Sequence, residues 1–203
     1  MTVAPSTFSA DEALQRLIDG NERFLGGVTR SPHLTLETLR GLQHSQHPYA
    51  TILGCSDSRV PPEIIFDSGP GELFVIRVAG NVFSPEIAGS LQYAGSHLHT
   101  PLFVVMGHEG CGAVQAALLS RDQGDRQRSR IQILVDSILP GLAPFDPQLS
   151  QAELTAQAIE ANVRWTVKQI VDTSEAKARL VEREVKIIGA LFEISTGRVK
   201  FLE

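Results

Sequence analysis

Two cysteines and one tryptophan in 203 residues, with an aromatic share of 6%, leave little scope for covalent stapling. Two thiols cannot build the multi-bridge framework of a disulfide-rich secreted domain. Positive charge is also short: 18 Lys and Arg face 23 Asp and Glu, a formal net charge of −5. The chain as a whole therefore has no electrostatic pull toward nucleic acid or an anionic membrane surface. No apolar run approaches the ~20 residues that cross a bilayer. The opening MTVAPSTFSADEAL lacks a basic segment leading into an apolar one, so no secretory leader is expected and the cytoplasm is the expected compartment. Internal repeats and low-complexity tracts are absent too.

What is present is a globular balance, 42% hydrophobic and 20% charged, in a length suited to one domain over residues 1–203. Ser9 and Glu12 stand at capping-box spacing before a helical pattern, SADEALQRLIDGNERF, and LTLETLRGL suggests a second short helix. These form an arm, residues 1–45, with no strand of its own to cover, so its helices are expected to wrap another part of the fold or a partner subunit. From Tyr49 the pattern changes. YATILG, ELFVIRVAG and PLFVVMGH read as strands, apolar on both faces, separated by the helical segments PPEIIF and SPEIAGSLQYAGSHL. That alternation predicts an α/β fold: a mostly parallel sheet of four to five strands with helices on both faces. Beyond residue 120, RDQGDRQRSR reads as a solvated loop, IQILVDSIL and ELTAQAIEANVRWTVKQIVD as helices. EVKIIGALFEI, the turn STG and RVKFL then read as a last core strand with a hairpin partner.

Chemistry concentrates in two stretches. GCSDSRV places Cys55, Asp57 and Arg59 just past the first strand, and GHEGCG places His108 at the end of the third, with Cys111 where the next helix begins. In an open parallel sheet the carboxyl ends of the strands border the ligand crevice. Cys55, His108 and Cys111 can thus converge on one edge as soft metal ligands, and a helix start at Cys111 favours its thiolate. Two thiolates and an imidazole suit tetrahedral Zn²⁺ at roughly 2.0–2.3 Å. With no third cysteine to close the shell, the open position implies a water, hence catalysis rather than structure. Gly54, Gly107, Gly110 and Gly112 are expected to give the backbone room beside the metal.

CSDSR with HEGC resembles the β-class carbonic anhydrases, and the similarity runs from about Gln46 through Val114, including PGELFVIRVAGNV. The resemblance implies that Cys55, His108 and Cys111 bind one Zn²⁺ per chain and that Asp57 and Arg59 form the catalytic dyad. It implies reversible hydration of CO2 to bicarbonate and a proton by zinc-bound hydroxide, with Asp57 accepting the hydroxide's proton and Arg59 keeping Asp57 ionised. It points to Phe74, Tyr93 and Ala79 as pocket walls, and to Gln46 and the Gly112 backbone N–H as donors to substrate oxygens. The family builds its pocket across a dimer interface, so a homodimer or larger homo-oligomer is expected. One subgroup is switched off by bicarbonate in a side pocket that uses a Trp three before the first Cys. Here Ile52 stands at that position and Phe192 where a Tyr is expected, so no such switch is expected, while an acid-closed state in which Asp57 leaves Arg59 for the metal stays open.

Other readings compete. The same centre could hydrolyse carbonyl sulfide or carbon disulfide, since pocket width decides and is not visible in the sequence. A zinc- or redox-sensing protein would use Cys55 and Cys111 as regulatory thiols but leaves Asp57 and Arg59 unexplained. His97 and His99 imitate a metal pair at a helix end, and His44 and His47 read as surface residues. Glu109 could be a base but has no supporting spacing. Neither GPGEL nor GHEGCG matches a nucleotide loop.

Overall fold

The computed structural model describes residues 8–30, 35–124, 126–128, 130–182 and 185–202. The first seven residues, which bear on the leader expectation, and Asp125 and Ser129 of the polar stretch lie outside them.

Five strands form one sheet: β1 (Ala50–Gly54), β2 (Leu73–Arg77), β3 (Leu102–His108), β4 (Lys186–Phe192) and β5 (Val199–Leu202). Their order is β2-β1-β3-β4-β5, the first four parallel and β5 antiparallel to β4. The expected architecture is thus the observed one, hairpin included. Gly197, at φ +75°, makes the hairpin turn. Among the described residues, eight α-helices surround the sheet: α1 (Ala10–Leu25), α2 (Leu36–Gly41), α3 (Pro62–Ile65), α4 (Pro85–His97), α5 (Gly112–Gln123), α6 (Ile131–Ile138), α7 (Gln151–Val171) and α8 (Ser174–Val181). No helix among the described residues is long and apolar enough to cross a membrane.

Successive strand residues face opposite ways, so each apolar run supplies two cores. Ile52, Val104 and Met106 join α1, α3, α5 and α6 in one, while Leu53, Phe103 and Val105 join α4 and α7 in the other. Burying β1 and β3 on both faces is what makes their sequences continuously apolar.

The main helix of the arm covers its own fold, one of the two courses expected of it. Its capping box forms, Ser9 accepting from the Glu12 N–H, and α1 packs on its own chain, burying Ala13 and Leu17 completely. Gly20 permits this approach, since a Cβ there would lie 2.0 Å from the Phe66 carbonyl oxygen. Asn21 donates to the Ile65 and Gly197 carbonyls and accepts from the Val199 N–H, which ties α1 to α3 and the hairpin. The short α2, with no buried residue and Leu36 72% exposed, keeps free apolar surface of the kind that wrapping a partner requires. The unforeseen α8 follows α7 because Thr173 caps a new helix by accepting from the Ala176 N–H.

Candidate metal centre and active site

Gly54 ends β1, so Cys55 is the first residue past its carboxyl end, and His108 is the last residue of β3. The two strands are neighbours in register, Gly54 opposite Met106, which brings Cys55 and His108 to one edge. Gly110 then adopts φ +66°, and the reversal sets Cys111 as the N-cap of α5. The two sulfurs and the His108 ring lie within 4.8 Å of one another, all three residues buried. Among the described residues this is the one group of three His, Cys, Asp or Glu side chains so placed.

The donor set fits a soft divalent cation. His108 Nδ1 lies 2.9 Å from the Glu109 carbonyl oxygen, which can only accept, so Nδ1 carries the proton. That leaves a lone pair on Nε2, which is buried without a hydrogen-bond partner. A buried orphan acceptor beside two sulfurs is an unsatisfied site that a metal satisfies. Two thiolates and one neutral imidazole would balance the charge of Zn²⁺.

The expected preference of Cys111 for the thiolate is not met by the bare pair. A hydrogen bond to Cys55, then burial, pushes the Cys111 thiol well up, outweighing the N–H groups of Val114 and Ala113 at the helix start. Cys55, accepting that bond, is pushed down to about 4 against the opposing effect of burial, aided by the Gly80 N–H, whose nitrogen is 3.3 Å from its sulfur. In the bare pair the shared hydrogen bond thus favours the thiolate at Cys55 over Cys111.

Asp57 and Arg59 meet as the sequence suggests. Arg59 Nε and Nη2 reach the two Asp57 oxygens at 2.9 and 2.8 Å, and the Arg59 backbone N–H adds a third bond at 3.0 Å. Those bonds hold the Asp57 carboxyl well below the usual carboxylate range. A two-pronged pair of this kind has a defined orientation, unlike a loose surface ion pair.

A family model described as carbonic anhydrase matches residues 50–199. The carbonic anhydrase of Mycolicibacterium smegmatis is 38% identical over 191 residues, covering 93% of this chain and 91% of that protein. Carbonic anhydrase 2 of Mycobacterium tuberculosis is 37% identical over 188 residues, covering 92% and 89%. A Coccomyxa β-carbonic anhydrase, solved in complex with acetazolamide, superposes with a TM-score of 0.75 at 25% identity, covering 93% of this chain and 86% of the other.

The chain belongs to the β-carbonic anhydrase family. It is a zinc enzyme by that membership, with Cys55, His108 and Cys111 as the residues able to hold one zinc.

The residues that family resemblance assigns to the pocket divide into two groups. Ala79 opens the short helical turn Ala79–Asn81 beside Cys55, and Gly112 is the exposed first residue of α5, so both border the cluster. Phe74 pairs in register with Thr51, three strand positions or about 10 Å below Gly54. Tyr93 packs against it with the rings tilted, centroids 6.1 Å apart, and is 46% exposed. Gln46 precedes β1 and so sits at the opposite, amino edge of the sheet from Cys55. Within one chain, Phe74, Tyr93 and Gln46 do not wall the metal cluster.

The expected room beside the metal at Gly107 and Gly54 is corrected. Gly107 makes room for α7, not for a metal: a Cβ there would lie 2.5 Å from Val163 Cγ2. A Cβ on Gly54 would meet only ordinary contacts at 3.9 Å. The Glu109 carboxylate accepts from the Ser195 N–H at 2.9 Å, fastening the hairpin. His97 packs against Tyr93, ring centroids 5.0 Å apart, and belongs to no three-ligand cluster among the described residues.

Arg77 is the last residue of β2. Its Nε donates to the Cys55 carbonyl at 2.9 Å and its Nη2 to the Asp57 carbonyl, so it holds the loop that carries both residues. A charged residue closing an otherwise apolar strand was the available signal.

Proposed function

We propose that this enzyme interconverts CO2 and bicarbonate at the Cys55, His108 and Cys111 centre, with Asp57 aiming the nucleophile. The observation that carries this reading is the orientation of Asp57 beside that triangle, locked by the Arg59 fork. Zinc in such a setting supplies Lewis acidity that makes a water acidic enough to be a nucleophile near neutral pH. Asp57, anionic throughout the neutral range, can only accept a hydrogen bond, and so orients a lone pair of the attacking oxygen toward the substrate carbon. Arg59 positions Asp57 and keeps it ionised. The Gly112 N–H, at a helix start, suits the negative charge that develops on a substrate oxygen.

The pocket is completed by a second copy of the chain. Phe74, Tyr93 and Gln46 serve catalysis only if a partner presents them, and β2, which carries Phe74, is an edge strand with unpaired backbone groups. The reading adopts a homodimer as the smallest active unit, in the cytoplasm. With Ile52 and Phe192 both buried and apolar, bicarbonate inhibition should be hyperbolic, not sigmoidal.

The test is CO2 hydration followed by stopped flow against pH for native and Asp57→Ala protein, with zinc content measured on both. Fast native hydration lost in Asp57→Ala at equal zinc supports the reading. Native protein that is slow on CO2 but releases sulfide from carbonyl sulfide overturns it.

A further inference from the structure

One buried polar side chain outside the ligand set connects directly to it. Asn162 lies on the inner face of α7 among Ala158, Ile159, Val163 and Ile170 and is 1% exposed. Its Nδ2 donates to the Gly80 carbonyl at 2.9 Å, while its Oδ1 is buried with no hydrogen-bond partner. A leucine would fill that space without stranding a carbonyl, so the amide is costly there. What it adds is the grip on Gly80.

Gly80 occupies a position where a side chain does not fit. It sits at φ +72°, squeezed between α5 and α6: a Cβ there would lie 2.9 Å from Ile138 Cδ1 and 3.0 Å from Ala113 Cβ. The N–H of this same residue points at the Cys55 sulfur, 3.3 Å away. Its neighbour Asn81 is also at positive φ, at 45°, and has a buried, unpartnered Nδ2. Three elements thus meet at one residue whose N–H faces a ligand sulfur and whose carbonyl faces Asn162.

We infer that Asn162 is a positioning residue for the metal centre: by holding the Gly80 carbonyl it keeps the Gly80 N–H on the Cys55 sulfur, and so sets how tightly and with what thiolate character zinc is held. The inference rests on Cys55, His108 and Cys111 being the zinc ligands. Outer hydrogen bonds of this kind are worth 10- to 100-fold, roughly, in metal affinity.

The experiment compares native protein with Asn162→Leu, Asn162→Ser and Thr166→Val. Thr166 is buried one turn along on the same face, and its hydroxyl is also unpartnered, so the valine variant perturbs α7 packing without touching Gly80. Zinc dissociation constants come from chelator competition, and the thiolate-to-metal absorption band is read in the Co²⁺-substituted forms. Asn162→Leu is expected to weaken zinc by about 10- to 100-fold and to shift that band, with Thr166→Val close to native in both. Asn162→Ser, which retains a hydroxyl of shorter reach, gives the same comparison should the leucine variant not fold. Folded Asn162 variants with native zinc affinity and a native Co²⁺ band overturn the inference. Native protein that binds no zinc overturns the metal reading beneath it, a result distinct from the first.

Discussion

His108 gives its Nδ1 proton to the carbonyl of Glu109, its neighbour in the chain, at 2.9 Å. The bond settles the tautomer, and it turns Nε2 toward Cys55 and Cys111. A ligand already oriented before the metal arrives should bind it tightly, and binding to the folded chain alone stabilises that fold.

Zinc removal by chelation should therefore lower the unfolding temperature. Free zinc at 1,000 times its dissociation constant contributes about 4 kcal/mol. In Cys111→Ser the gap between loaded and chelated protein should close, because the site loses a thiolate and its charge balance. Differential scanning fluorimetry with and without chelator, alongside zinc content, checks both. An undiminished gap in Cys111→Ser would mean the metal sits elsewhere.

The Asp57–Arg59 fork predicts a separation between zinc binding and catalysis. Neither residue belongs to the metal cluster. Asp57→Ala should keep zinc and lose kcat by roughly 10²- to 10³-fold, the usual effect of removing one preorganised polar group. Arg59→Lys preserves the charge but cannot reproduce two parallel N–H···O bonds, so it should fall between native and Asp57→Ala. Steady-state hydration kinetics on zinc-matched samples decide, and an Arg59→Lys enzyme with native kcat would remove orientation from the explanation.

The distance between Phe74 and Cys55 within a chain leads to a mixing experiment. If Gln46 acts in the partner's site, Gln46→Ala and Asp57→Ala homodimers each have two impaired sites. A heterodimer of the two has one site with both defects and one with neither. Random reassortment makes half the dimers heterodimers, so about a quarter of all sites should recover. Activity of the reassorted mixture above the mean of its parents checks this. No gain, with subunit exchange verified by mass, would place Gln46 in its own chain's site or outside catalysis.

Much of this was legible because period-2 burial and strand-end placement leave plain traces. YATILG and PLFVVMGH are apolar throughout because both faces are covered, and a strand's end tells where Cys55 and His108 must emerge. Other features depend on contacts distant in the chain. That α1 covers its own sheet turns on Gly20 meeting the Phe66 carbonyl, and nothing local to α1 announces it. The proton order of the two thiols depends on their mutual hydrogen bond, which overrides the helix start that sequence alone makes visible. Arg77 and Asn162 act through backbone carbonyls, which have no residue identity to search for.

The attachment of the arm has its own pH signature. Asp67, buried and at φ 44°, pairs with Arg23 on α1 and with Arg30, whose backbone N–H also donates to it. Burial pushes its carboxyl up, but the bonds from Arg23 and Arg30 outweigh that and hold it below the usual carboxylate range. A carboxyl whose pKa is lower folded than unfolded stabilises in full above its unfolded value, about 3.9, and loses that contribution as pH falls through the folded value. Asp67→Asn should therefore cost about 1–3 kcal/mol at neutral pH, toward the low end because Arg23 and Arg30 are 30% and 45% exposed and remain solvated. The cost should be constant from pH 8 to 5 and shrink below about pH 4, where Asp67 of the unfolded chain takes up its proton while the folded carboxyl still resists it. Hydrogen exchange should show α1 losing protection in that acid range before β3 does, since β3 is buried on both faces and does not depend on this pair. Equal protection loss in α1 and β3, or an Asp67→Asn deficit that persists undiminished at pH 3, would show that the arm is held by its apolar face and Asn21 alone.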